Sequence, residues 1–159
     1  MEFVNPVPQP TFDVPSLAIV VPCYNEEDVL QDTYAELVAT LESLQAAGKI
    51  LPGSKLYFVD DGSRDATWIL LEQLAAADSR VVAVALSRNR GHQNALCAGL
   101  AQTVEDAVVS IDADLQDGPE NIASMIDAYL AGSEVVYGVR EERETDSFFK
   151  RSTAEGYYR

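Results

Sequence analysis

The sequence predicts an α/β domain built on a mostly parallel sheet with helices on both faces. Three observations carry that reading. Short apolar, β-branched runs alternate with longer amphipathic segments. The short runs are apolar almost throughout rather than at every second residue, as parallel strands covered on both faces require. Polar and acidic clusters follow the runs directly, where an open parallel sheet gathers its ligands.

Each element can be justified in turn. Residues 1–15 form a Pro-rich, flexible lead, and the first strand runs from Leu17 to Val21. Leu30, Tyr34, Leu37, Leu41 and Leu44 step by four, three, four and three, which predicts one apolar stripe on a helix from about Glu26 to Ala47. Lys55 to Val59 is the second strand, and Asp65 can cap the helix holding Trp68 to Ala77. Val81 to Leu86 is the third strand, and Gly91 opens a helix through Thr103. Ala107 to Ile111 is the fourth, with Pro119 tolerated in the first turn before a helix over Glu120 to Ala131. Glu134 to Tyr137 reads as a fifth strand. The domain proper covers 16–140, and 141–159 begins a basic, aromatic helical segment of interfacial character.

At 159 residues, with 47% hydrophobic and 23% charged side chains, the chain has the size and balance of one globular domain. No stretch approaches the roughly 20 apolar residues that cross a bilayer, and residues 1–15 lack a signal-peptide pattern. The chain is therefore expected to be soluble and cytoplasmic. Cys23 and Cys97 show neither CxxC spacing nor a neighbouring His, which excludes a disulfide framework or zinc site as the organising principle. Eleven basic against 26 acidic residues give a net charge of −15, which opposes binding to nucleic acid. Arg140, Arg143, Lys150, Arg151 and Arg159 concentrate five of those eleven cations in the last 20 residues. They are either solvated helix charge or help for an anion.

The strand ends carry the chemistry. Asp112-Ala113-Asp114 leaves the fourth strand, and in extended chain two such carboxylates point the same way about 6.5 Å apart. Close carboxylates repel unless a cation compensates, and Mg²⁺ or Mn²⁺ takes hard oxygen ligands while retaining sites for water and a diphosphate. The ordinary alternative is a solvated turn. Asp60 and Asp61 follow the second strand, where a carboxylate can accept from a base N–H or a ribose hydroxyl, and Gly62 permits a sharp turn. Pro22 fixes the first loop, Tyr24 can stack on a base or simply pack, and Glu26 offers a polar contact. His92 reads first as a surface histidine at a helix start, with Gly91 and its neighbours shaping a sugar or phosphate pocket as the functional alternative. There is no GxGxxG, no P-loop and no GxSxG, so dinucleotide, P-loop and serine-hydrolase chemistries are set aside.

In order along the chain, VVPCYNEE, VDDGSRDAT, SRNRGHQNALCAGL, IDADLQDGPE, YGVR and FFKRSTAEGYYR resemble the motifs of family 2 glycosyltransferases of the GT-A fold. The resemblance runs from Leu17 to the end. DADLQD and SRNRGHQ bring the chain nearest to the polyprenyl-phosphate branch, which includes dolichyl-phosphate mannosyltransferases and bactoprenol glucosyltransferases. The resemblance implies a Rossmann-like nucleotide-sugar-binding sheet. Position by position, it implies that Pro22, Tyr24, Glu26, Asp60, Asp61, Arg88, Gly91, Gln116 and Arg140 bind substrate. Asp112, Asp114 and Gln116 would hold Mg²⁺ or Mn²⁺ and the diphosphate, with the two aspartates catalytic.

The activity so implied is metal-dependent, inverting transfer of a sugar from a nucleotide diphosphate donor to polyprenyl phosphate, at the cytoplasmic face of the membrane in the full-length protein. An acceptor phosphate is already ionised, so it needs no strong general base. The alternatives are transfer to a saccharide or lipid hydroxyl, which would need a carboxylate base, and a non-catalytic nucleotide-sugar-binding fragment. A nucleotidyltransferase-like use of the same metal is a remote third. Family members continue into an acceptor-side portion, so the chain is expected to be the donor-binding part of a longer enzyme. A homo-oligomer is compatible with this reading.

Overall fold

A computed structural model describes residues 12–116 and 118–139. The expectations for residues 1–11, Asp117, Arg140 and the basic, aromatic stretch over 141–159 lie outside the described residues. Four strands, β1 (Leu17–Cys23), β2 (Lys55–Asp60), β3 (Val81–Ala85) and β4 (Ala107–Ser110), alternate with four helices. These are α1 (Leu30–Ala46), α2 (Thr67–Ala77), α3 (His92–Leu100) and α4 (Asn121–Leu130). The sheet order is β3-β2-β1-β4, and every pairing is parallel.

Strand β1 lies inside the sheet, and all seven of its residues are buried, which explains its unbroken apolar sequence. Alternate residues serve opposite faces. Leu17, Ile19 and Val21 of β1, with Leu56 and Phe58 of β2, pack with Leu30, Leu37 and Leu41 of α1, Leu71 of α2 and Ile122 of α4. Ala18, Val20, Tyr57 and Val59 face the other way and pack with Ala95 of α3. Helices therefore cover both faces, three on one and one on the other. Gly99 lets α3 approach closely, because a Cβ there would stand 2.5 Å from Val20 Cγ1 and 2.8 Å from Val59 Cγ2.

Two sequence expectations need correction. Helix α1 starts at Leu30, not Glu26, because residues 26–29 form a turn in which Val29 and Leu30 N–H both reach Glu26 O. The amides of Glu26 and Glu27 bond instead to Thr67 Oγ1 and Asp65 Oδ2 of the neighbouring loop. The expected fifth strand over Glu134 to Tyr137 does not form a ladder. Gly132, at φ +103, turns the chain out of α4, and residues 133–138 then run beside β4 across a cavity of about 390 Å³. The apolar run has strand character, yet among the described residues it pairs with no strand.

A polar staple holds α1 to the start of β3. Arg80 bonds Asp78 through Nε and Nη2 and reaches Glu42 on α1 through Nη1, while Tyr34 Oη donates to Asp78. The Arg80 guanidinium holds the Asp78 carboxyl far below the usual carboxylate range.

Two measurements check this architecture. Gly99→Ala overpacks the α3–sheet contact and should lower unfolding free energy by about 1–3 kcal/mol in urea denaturation. For Asp78, a folded-state pKa below the unfolded value of about 3.9 means that its contribution is present above that pH and is lost as pH falls below it. The stability difference between the parent chain and Asp78→Asn should therefore be largest near neutrality and shrink below about pH 4.

Candidate functional site

The β1–α1 and β2–α2 loops are laced together at the carboxyl edge of the sheet. Asn25 N–H donates to Ser63 Oγ at 2.9 Å, and Arg64 N–H donates back to Asn25 Oδ1 at 2.8 Å. Ala66 N–H donates to Glu27 Oε2, and Asp65 Oδ1 accepts from Thr67 N–H at the start of α2, in keeping with the expected cap. Asn25 pays for this geometry with a left-handed backbone, φ +56. Tyr24 is left projecting at 39% exposure on the open side, while Pro22 is buried in β1.

Asp60 and Asp61 are both buried, at 3% and 2% exposure, but they face different partners. Asp60 accepts from Ser63 N–H at 3.2 Å, which closes its own turn. The carboxylate of Asp61 accepts from Arg90 N–H at 2.6 Å and Gly91 N–H at 2.8 Å. A buried carboxylate is tolerable when backbone amides meet it in this way. Asp61, expected to bind substrate, is thus turned inward and holds the β3–α3 loop. Gly62, at φ +71, completes the joint, since a Cβ there would lie 2.5 Å from Arg88 C and 2.6 Å from Asn89 N. Arg88 itself is exposed.

After β4, residues 112–115 do not continue extended as the sequence spacing suggested. They form a turn closed by Leu115 N–H on Asp112 O, with Leu115 at φ +51. The turn buries Ala113 and leaves Asp112 and Asp114 exposed. Thr33 of α1 anchors it from inside by donating to Ala113 O. Gln116 N–H bonds Asp114 Oδ1 at 3.1 Å, so Gln116 meets this carboxylate through its backbone, and its side chain is exposed.

Electrostatics joins the first and fourth loops. Burial pushes the Glu26 carboxyl up, and the negative charges of Asp114, Asp65 and Asp112 push it further. A carboxyl raised by neighbouring negative charge in this way suits a compensating cation. Among the described residues there is no group of three or more His, Cys, Asp or Glu side chains at metal-ligand spacing. On the remaining side, His92 Nε2 stands 3.7 Å from Asp112 Oδ1. Cys23, at the base of the site, is held well above its ordinary thiol value by burial and by Glu26 and Asp60, which disqualifies it as a nucleophile.

Sequence reading brought Pro22, Tyr24, Glu26, Asp60, Gly91, Asp112, Asp114 and Gln116 to this edge, and the structure places them there. It missed the contributions of Asn25, Ser63, Thr67 and Thr33, whose small polar side chains hold the loops. Asn25 and Ser63 had only their position after a strand as a signal, and Thr33 and Thr67 only their place at a helix start.

The chain belongs to glycosyl transferase family 2, whose family model matches residues 18–158. It is 48% identical over 147 residues to the uncharacterized glycosyltransferase YkoT of Bacillus subtilis, covering 91% of this chain and 44% of that protein. It is 39% identical over 143 residues to the bactoprenol glucosyl transferase of Shigella phage SfX, covering 90% and 45% respectively. The chain thus spans less than half the length of these relatives. A solved structure of similar fold is the mannosyltransferase PcManGT from Pyrobaculum calidifontis, in complex with GDP-Man and Mn²⁺. Its TM-score is 0.59 at 22% identity, over 82% of this chain and 36% of that one. Among the described residues, no helix is long and apolar enough to cross a membrane.

The Asp61 joint can be measured directly. Asp61→Ala leaves two amides without their acceptor and should cost about 1–3 kcal/mol or more in chemical denaturation. Amide exchange should accelerate at Arg90 and Gly91 before it does in β1.

Proposed function

We propose that this chain is the donor-binding part of a metal-dependent, inverting glycosyltransferase that moves a sugar from a nucleotide diphosphate to polyprenyl phosphate. One observation carries the donor half of the reading: the exposed Asp112–Asp114 turn, the raised Glu26 carboxyl and the Asp60 turn are gathered on one carboxyl edge. Tyr24 offers a face for the base, and Asp60 retains acceptor capacity for a nucleoside N–H or hydroxyl. Asp112 and Asp114 would hold Mg²⁺ or Mn²⁺, with the peptide of Gln116 bracing Asp114. Such an ion, when bound, neutralises charge gathering on the departing diphosphate.

The chain's own residues have defined work in this scheme. Thr33 and the Leu115 turn keep the two aspartates facing outward, and the laced first and second loops keep the nucleoside pocket open. Preorganised groups of this kind stabilise developing charge without reorganising during reaction. The acceptor assignment is supported by likeness to the bactoprenol glucosyl transferase of phage SfX, and it implies work at a membrane surface. Because the chain spans less than half of such relatives, we assign it donor binding and expect turnover to need further chain.

Calorimetry with UDP and GDP, each with Mn²⁺ and then with excess chelator, tests the donor half. Parent chain should lose diphosphate affinity on chelation, whereas Asp114→Asn should bind weakly in both conditions and keep monophosphate affinity. Equal diphosphate binding by parent chain with and without chelator would refute the metal role. Labelled nucleotide sugars offered with short-chain polyprenyl phosphate in detergent should give little transfer by the 159-residue chain.

A further inference from the structure

His92 is an exposed residue on which several fixed elements converge. Asp61 holds the amides of the two preceding residues at 2.6 and 2.8 Å. Residue 62 lies so close to the backbone of Arg88 and Asn89 that only glycine fits. Gly91, at φ +88, turns the chain into α3, whose first residue is His92, and Gly99 locks that helix against β1 and β2. These constraints set where the imidazole begins.

Among the described residues, the side chain they present makes no hydrogen bond. Its recorded partner among the described residues is Asp112 Oδ1, 3.7 Å from Nε2, which is beyond hydrogen-bond range. Both side chains are about half exposed, at 53% and 57%. No Lys or Arg side chain lies within ion-pair distance of Asp112 or Asp114 among the described residues. A histidine that served the fold would be buried or bonded.

We propose that His92 is a substrate contact: its Nε2–H donates to a phosphate oxygen of the donor diphosphate held at the Asp112–Asp114 turn. The proposal rests on the donor-site reading above and adds a contact to it. A cation held by Asp112 would draw a phosphate oxygen to the exposed side of this turn, where the imidazole already stands 3.7 Å from that carboxylate. The bond donated there is charge-assisted. As an oxygen of the acceptor phosphate forms its bond to the sugar carbon, the bond from that carbon to the donor phosphate oxygen breaks and its electron pair passes to that oxygen, and His92 hydrogen-bonds the departing phosphate while keeping its own proton.

The test is calorimetry on the 159-residue chain with UDP, GDP and their monophosphates in the presence of Mn²⁺, together with Mn²⁺ alone followed by electron paramagnetic resonance. His92→Ala should weaken diphosphate binding roughly 10- to 100-fold, the scale of one charge-assisted hydrogen bond. It should leave monophosphate and Mn²⁺ binding unchanged. His92→Gln, whose amide can donate from a similar reach, should recover most of the loss. Unchanged diphosphate affinity in His92→Ala would overturn the proposal, and so would an equal loss for monophosphate. Weaker binding of Mn²⁺ alone would overturn it in favour of a metal ligand. If the parent chain binds neither diphosphate with Mn²⁺, the donor-site reading fails and this contact falls with it, a result distinct from a difference between variants.

Discussion

The buried carboxylate of Asp61 is the interaction on which the geometry of this edge depends. A charge taken out of water is costly, and here its compensation comes from two backbone amides of a different loop, not from a side-chain cation. Meeting that requirement draws the β3–α3 loop against the β2–α2 loop until only glycine fits at residue 62. The start of α3 follows from that contact, and so does the approach of His92 to Asp112. One desolvated group at the end of β2 thereby sets a distance at the end of β4.

The sheet supplies the rigid frame for this arrangement. β1 is paired on both edges and buried throughout, so the ends of β2 and β4 are held at fixed separation on either side of it. Backbone bonds extend the ladders into the site, from Asp61 N–H to Cys23 O and from Leu86 N–H to Asp60 O. Left-handed residues occur where those ladders give way to functional turns, at Asn25 and Leu115. Such conformations persist when surrounding contacts hold them, as the Ser63 and Arg64 bonds do for Asn25.

Negative charge is concentrated at the carboxyl edge of the sheet. Burial and the charges of Asp114, Asp65 and Asp112 raise the cost of ionising Glu26, which a bound cation would relieve. The arrangement is open because the turn after β4 pushes both aspartates outward while burying Ala113 between them. An exposed pair of this kind would leave coordination positions for a substrate on any cation it held, as the proposed donor site requires.

Much of this was legible from residues in order. The unbroken apolar runs dictated parallel strands, the four-and-three spacing of Leu30 to Leu44 dictated α1, and acidic clusters after strands marked the edge where ligands gather. These are local signals, because periodicity and strand-end position are properties of neighbouring residues. The run at Glu134 to Tyr137 misled for the same reason: it has strand character, but a ladder also needs a bonded partner strand, and among the described residues the run has none. Asp60 and Asp61 look alike in sequence, yet one closes its own turn and the other bonds amides 29 and 30 residues away. The amino-acid sequence by itself determined the fold class, the family and the edge on which the site lies. Only the tertiary structure decided which carboxylate faces inward, that the Asp112–Asp114 segment is a turn, and that His92 stands beside it, because each depends on contacts between loops that are distant along the chain.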